Sequence, residues 1–203
     1  AALSYAEVKA LATGNPYIKE KMDLDIQVSK LKLMKANHTS QKYRLEDNIT
    51  QHYPHQIAIF KERIEGFTAD MEKYAKNKPE DKEQFFMQVG GKPYTDKKEA
   101  GTAIIAMCKE IKGINASADV GEYLGFKLNV TFDSFNNKFV MNVKGAMSHP
   151  MEVGTDPLGN ITRINNALEA MPIQLEEAQT KLSNVEHQLE TAKAEVDKPF
   201  PQE

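Results

Sequence analysis

The sequence predicts an α+β fold: an antiparallel coiled-coil stalk of three long helices, with a small antiparallel β-sheet and one helix inserted as a head between the second and third stalk helices. Three observations lead there. Apolar residues step by three and four along three segments: Leu24, Val28, Leu31 and Met34, resuming at Leu45 and Ile49; Ile57, Phe60, Ile64, Phe67, Met71 and Tyr74; and Leu175, Ala178, Leu182, Val185, Leu189, Ala192 and Val196. A repeat of about 3.5 residues keeps one narrow stripe facing a partner helix. Between the second and third seams the period changes to two. Phe126, Leu128, Val130 and Phe132 alternate with Lys127, Asn129, Thr131 and Asp133, and Phe139, Met141 and Val143 alternate with Val140, Asn142 and Lys144. One apolar and one polar face describe a half-buried antiparallel hairpin. Finally, Pro54 interrupts the first two seams, so His52-Tyr53-Pro54-His55 is read as the turn of a helical hairpin.

The elements follow in order. Ser4 suits the cap of a short helix over Tyr5–Thr13, which Gly14, Asn15 and Pro16 end. A helix from about Ile18 to Thr50 is roughly 50 Å long at about 1.5 Å per residue. The second runs from about His55 to Lys76 and closes at Asn77-Lys78-Pro79. Gln84–Val89 is an apolar, aromatic strand; Gly90-Gly91 turns; Lys92–Thr95 pairs back. Lys97–Lys112 places Ala100, Ile104, Met107, Cys108 and Ile111 on one helical face. After the hairpin, Ala146–Val153 is a further strand interrupted by Pro150. Asp156-Pro157-Leu158-Gly159-Asn160 is a turn, and a helix begins near Ile161 with Asn160 as its cap; Pro172 kinks that helix or starts a new one. Residues 1–16 are thus an N-terminal helix and linker, 17–79 the stalk hairpin, 80–160 the head, 161–197 the third stalk helix and 198–203 a tail. With the second helix descending beside the first and the third climbing beside both, one three-stranded bundle satisfies every seam.

Composition narrows the function. The chain has 203 residues, 40% hydrophobic and 27% charged, with a formal charge of −3. That balance suits a soluble protein with many exposed helical faces, and any basic surface must be local. A single cysteine, Cys108, gives no disulfide framework and no zinc cluster, which points to a reducing cytoplasm. No apolar run approaches the roughly 20 residues a membrane span needs. Ala1–Lys9 lacks a signal-peptide core; that start and the close at Lys198–Glu203 read as the cut edges of a longer protein.

Catalytic and metal motifs are weak. His52 and His55 straddle a proline without acid or thiol at ligand spacing, and read as turn histidines rather than a metal site. Cys108 lies on an apolar face, as a core residue does. Gly90-Gly91-Lys92 lacks the spacing of a phosphate loop and reads as a β-turn. No catalytic, cofactor or metal residue is assigned, and no cofactor is expected.

Local charge is more informative. Between Ile26 and Leu45 the first long helix carries Lys30, Lys32, Lys35, Lys42 and Arg44, with His38, and no acid. The third stalk helix carries Glu176, Glu177, Glu186, Glu190, Glu195 and Asp197 against Lys181 and Lys193. Two readings stand. The opposite charges pair inside the bundle and set its register, or the cations form a ridge for phosphate contacts. The polar face of the sheet offers a second cationic candidate in Lys127 and Lys144, beside Asn129 and Asn142; a solvated face is its plain alternative.

Leu3-Ser4-Tyr5-Ala6-Glu7-Val8-Lys9-Ala10-Leu11-Ala12-Thr13-Gly14-Asn15-Pro16, followed by Ile18–Asp25, resembles a segment downstream of the helicase core in very large proteins of conjugative elements and phages. These join an adenine DNA methyltransferase-like region to a Swi/Snf-type DEAD/DEAH helicase. The resemblance continues through Gly90-Gly91-Lys92-Pro93-Tyr94, Lys97-Lys98-Glu99-Ala100-Gly101 and Lys198-Pro199-Phe200-Pro201. The chain has no Walker lysine motif, no DEAD/DEAH box and no Asn-Pro-Pro-Tyr motif. The resemblance therefore implies a non-catalytic C-terminal accessory region of a mobile-element DNA-processing protein, with DNA and the other domains of the parent as partners. Coiled-coil self-association is a further expectation, and a structural arm that packs domains or recruits a protein is the alternative function.

Overall fold

The structure is a computed structural model that describes residues 5, 8–9, 14, 16–81, 83–111, 113 and 116–201. The expected helix over Tyr5–Thr13, its Ser4 cap and the end of the tail lie largely outside these residues. The chain is α+β, with long helices and a six-stranded antiparallel sheet. It divides into two compact units, Ala1–His55 with Glu186–Glu203, and Gln56–Val185.

The first long helix, α1, spans Pro16–Asp47. A π-helical segment, Asn48–His52, follows, and α2 spans Tyr53–Asn77. The turn expected at His52–His55 is therefore absent, and those residues are helical. Tyr53 keeps right-handed helical angles, φ −65° and ψ −43°, and its N–H donates to the Asn48 carbonyl, five residues back. The wider π turn absorbs the amide that Pro54 lacks and the clash its ring would make with the preceding turn. Proline here modifies a helix instead of ending it.

In the first unit no residue of α1 is buried. Its C-terminal half meets the end of the last helix, α5 (Met171–Val196), and the residues after it. His38, Gln41, Lys42 and Leu45 share a cavity of about 290 Å³ with Glu195, Val196 and Pro199. The His38 and Phe200 rings meet edge-on at 5.5 Å. Ala192 is buried, and Leu45 and Ile49 are half-buried. The seam at Leu24, Val28, Leu31 and Met34 is instead exposed, so the expected bundle does not cover it.

The second unit holds the sheet, in the order β2-β1-β3-β4-β5-β6, from Met87–Val89, Lys92–Tyr94, Ser117–Tyr123, Phe126–Asp133, Lys138–Lys144 and Ser148–Val153 as β1 to β6. The predicted hairpins are present. β1 and β2 join through Gly90 and Gly91, whose φ values of 58° and 77° suit a two-residue turn matched to sheet twist. β4 and β5 pair from Asp133↔Lys138 to Lys127↔Lys144. β3 was not expected. It slots between β1 and β4, where a Cβ on Gly121 would collide with the Gln88 carbonyl, so the strand depends on a close backbone approach rather than on an apolar run. β6 passes through Pro150 without interruption, and β2 contains Pro93. Both are edge strands, where the missing amide costs no ladder bond and discourages further pairing.

One sheet face carries Met87, Val89, Val120, Phe126, Leu128, Val130, Met141, Val143 and Met151 into the core. Helix α3 (Lys97–Glu110) adds Ala100, Ile104 and Cys108; α4 (Pro157–Glu169) adds Ile161, Ile164 and Leu168; α2 lends Phe67, Met71 and Tyr74. Asp96 caps α3 by accepting from the Glu99 amide at 2.9 Å. The expected start at Ile161 is corrected: α4 begins at Pro157, with Asp156 as its cap accepting from Gly159 at 2.9 Å. Asn160 is buried instead, bonding the Gly154 amide and carbonyl at 2.7 and 2.9 Å. Pro172 starts a new helix, as the second residue of α5, where no amide is needed. Within this unit α2 meets the start of α5, where Arg63 and Phe67 share a cavity with Gln174, Ala178 and Lys181, and Tyr74 donates at 3.4 Å to Glu169, the last residue of α4.

Candidate nucleic-acid interface

The cations of α1 are all exposed, because the helix faces solvent on most of its circumference. They do not form a single ridge. Lys30 and Arg44 lie two heptads apart and share one outward line; Lys35 and Lys42 share the seam line; Lys32 lies on the opposite flank. Among the described residues, Lys30, Lys32, Lys42 and Arg44 have no ion pair. The acids Glu190 and Glu195 of the first unit pair with Lys193 at 3.0 Å and Lys198 at 3.9 Å, within their own segment. Lys42 shares a cavity with Glu195 but makes no ion pair with it.

In the second unit the β4–β5 register sets Lys127 directly opposite Lys144 on the outward sheet face. Like charges so placed repel, and neither has an ion pair among the described residues. Their polar neighbours are already engaged. Asn129 accepts from Ser117 at 2.8 Å and donates to Asp119 at 2.7 Å, and Asn142 accepts from Ser148 at 3.1 Å. Lys138 donates to Glu152 at 2.8 Å, which raises the lysine pKa and lowers that of the carboxylate. The sheet thus offers two lysines, with Glu122 next to Lys127 across β3. A groove of about 890 Å³ lies elsewhere on this unit, lined by Phe85, Phe86, Leu124, Glu83 and Glu122; its carboxylates disfavour an anionic ligand.

Sequence reasoning missed a buried ionisable cluster. Asp70 on α2 is fully buried, and His149 on β6 is 2% exposed. The carboxylate accepts from the Ala146 amide at 2.7 Å, the Met147 amide at 2.9 Å and His149 Nε2 at 2.8 Å. The histidine ring lies between Phe67 and Phe126, with centroids 6.0 and 6.1 Å away, and its Nδ1 is buried without a partner. A Cβ on Gly145 would strike the Asp70 carboxylate. The cluster pins the β5–β6 turn to α2. The available signal was Asp70's place on the seam face, three residues after Phe67 and four before Tyr74: a buried acid must find donors.

Other titratable groups are set by burial. Burial raises the Cys108 thiol from 9.0 to about 11, which suppresses the reactive thiolate. Burial, with Tyr74 nearby, raises Tyr123 from 10.0 to about 12, against a 3.0 Å bond donated to Asn165. Among the described residues no three histidine, cysteine or acidic side chains gather as metal ligands, and no helix is long and apolar enough to cross a membrane. Comparison of the chain with protein-family models, curated proteins and solved structures found no match.

Proposed function

We propose that this chain is a non-catalytic accessory module that grips nucleic acid by its phosphates for a larger DNA-processing protein, of the mobile-element helicase and adenine methyltransferase kind that its sequence resembles. The observation that carries this reading is the set of exposed cations without ionic partners among the described residues: Lys30, Lys32, Lys42 and Arg44 on α1, and Lys127 opposite Lys144 on the sheet. Such groups need break no ion pair to meet a phosphate, and they gain by displacing condensed counterions from a duplex. A long, exposed helix suits positioning, and a cytoplasmic setting suits the free, buried Cys108.

The test is duplex-DNA titration at several salt concentrations. Binding should be independent of sequence, with a log–log salt slope near −0.9 per phosphate contact. Lys30→Gln with Arg44→Gln, and separately Lys127→Gln with Lys144→Gln, should each flatten that slope by up to roughly two. No binding at low salt would overturn the reading, as would ATPase or methyltransferase turnover abolished by a substitution in this chain. A second reading, an arm that docks protein, is favoured by the exposed seam at Leu24, Val28, Leu31 and Met34.

A further inference from the structure

Leu24, Val28, Leu31 and Met34 are 52%, 47%, 43% and 38% exposed, and α1 buries no residue. A sustained apolar seam on a long helix is costly to leave in water. It ends where the chain's own tail takes over, at His38, whose ring meets Phe200. We propose that residues 21–38 are a self-association surface, on which the same segment of a second copy docks antiparallel.

The charges select both orientation and register. With Leu24 and Leu31 at d positions, Lys21, Val28 and Lys35 fall at a, Asp25 and Lys32 at e, and Glu20 at g. A parallel pair stacks a on a and d on d. It would set Lys21 and Lys35 against their own copies in the seam and Glu20 beside Asp25 across it, with no flanking pair of opposite charge to offset that repulsion. An antiparallel pair stacks a on d and brings e beside e. Two registers bury the apolar residues. Val28 against Leu24 of the second copy sets Asp25 beside Asp25. Val28 against Leu31 sets Asp25 beside Lys32 twice over, related by one two-fold axis, and lays the Lys35 stem along Leu24. Only the last register joins apolar contact to charge complementarity, and it superposes residues 21–38 on residues 38–21, a window that the tail meets only at its His38 end. Among the described residues, the ion pair of Asp25 within its own chain is an exposed 3.9 Å contact with Lys21, which the cross-helix pair can share or replace. The isologous arrangement closes on itself as a dimer.

A seam of about three heptads gives a weak, concentration-dependent dimer, measurable by sedimentation equilibrium of the 203-residue chain without DNA. Asp25→Lys alone or Lys32→Asp alone should weaken self-association roughly tenfold, since each places like charges at e. An equimolar mixture of the two should recover the parent's affinity, because every e–e contact is then opposite in sign. Circular dichroism confirms that the helices persist. For orientation, Val28→Cys mixed with Leu31→Cys should cross-link as a heterodimer on oxidation, with the buried Cys108 left reduced. A monomer up to hundreds of micromolar overturns the proposal, as does a mixture no tighter than either variant. Faster cross-linking of Val28→Cys to itself overturns the orientation. These measurements contain no nucleic acid, so their failure leaves the phosphate-binding reading standing.

Discussion

Replacing Asp70 with alanine tests whether the buried cluster holds the α2–sheet contact. The side chain is fully buried and accepts three hydrogen bonds, from Ala146, Met147 and His149. Removing it strands two backbone amides and a ring N–H in a site where Gly145 and the carboxylate are in close contact. Each orphaned donor costs about 1–3 kcal/mol. Water entering the space left behind recovers part of this, so the net loss should be about 3–5 kcal/mol. His149→Phe makes the comparison. It removes one donor, leaves Asp70 two amides, and keeps a ring between Phe67 and Phe126 while eliminating the unpartnered Nδ1; it should cost about 1–2 kcal/mol. Urea unfolding followed by far-ultraviolet circular dichroism gives the ranking. Hydrogen exchange gives the mechanism: the Ala146 and Met147 amides should lose protection in Asp70→Ala and keep it in His149→Phe. A loss below about 1 kcal/mol for Asp70→Ala, or amides that stay protected, would refute the reasoning.

Two further predictions concern the same unit. Gly121→Ala should cost about 2–4 kcal/mol in denaturant titrations, because the new Cβ meets the Gln88 backbone, whereas Gly91→Ala, in open space at φ 77°, should cost about 1 kcal/mol for its backbone angle alone. Cys108 makes the fold sensitive to alkali. Its thiol is raised in the folded state, so its contribution is intact below pH 9.0 and is lost as pH rises toward about 11. Tyr123, raised to about 12, acts in the same direction at higher pH. Stability should fall by about 2 kcal/mol between those limits, and Cys108→Ala should flatten that part of the profile. Iodoacetamide should leave the native thiol unmodified at pH 8 on the timescale that labels the urea-unfolded chain.

Periodicity located faces better than partners. Every residue of the predicted seam from Leu175 to Val196 is buried or half-buried, because a stripe at helical spacing has one side to hide. The same spacing at Leu24–Met34 says nothing of whether a partner is present, and there the seam is exposed. The Lys127–Lys144 apposition was legible, since a hairpin turning at Ser134–Asn137 fixes the register of everything behind it. β3 was hidden by Gly121 and by a register shift between Asp119 and Gly121 that breaks its alternation. The Asp70–His149 pair joins residues 79 positions apart, and no local pattern encodes such a meeting. Pro54 misled because proline forbids one helical hydrogen bond, not the helix, and a π turn supplies a way around it.

The two proposals for α1 compete for one residue more than any other. In the antiparallel register Lys32 is engaged by Asp25 of the second copy, and Lys35 lies within the seam, so neither can serve a phosphate in the dimer. Lys30 and Arg44 sit on the outward line, away from the seam, and remain available whether or not the copies pair. Phosphate binding should therefore depend on Lys30 and Arg44 in monomer and dimer alike, while Lys32 contributes only where the chain is monomeric. High salt weakens both processes, by counterion release in one and by screening of the e–e pairs in the other, so salt alone cannot separate them. Substitution can. Lys30→Gln with Arg44→Gln should reduce DNA affinity and leave self-association unchanged, because no acid faces either position across the seam. Lys32→Asp should do the reverse at concentrations where the parent dimerises. If Lys30→Gln with Arg44→Gln disrupts the dimer, the heptad assignment is wrong. If it leaves duplex binding intact, the phosphate contacts lie elsewhere, and Lys127 with Lys144 becomes the site to examine.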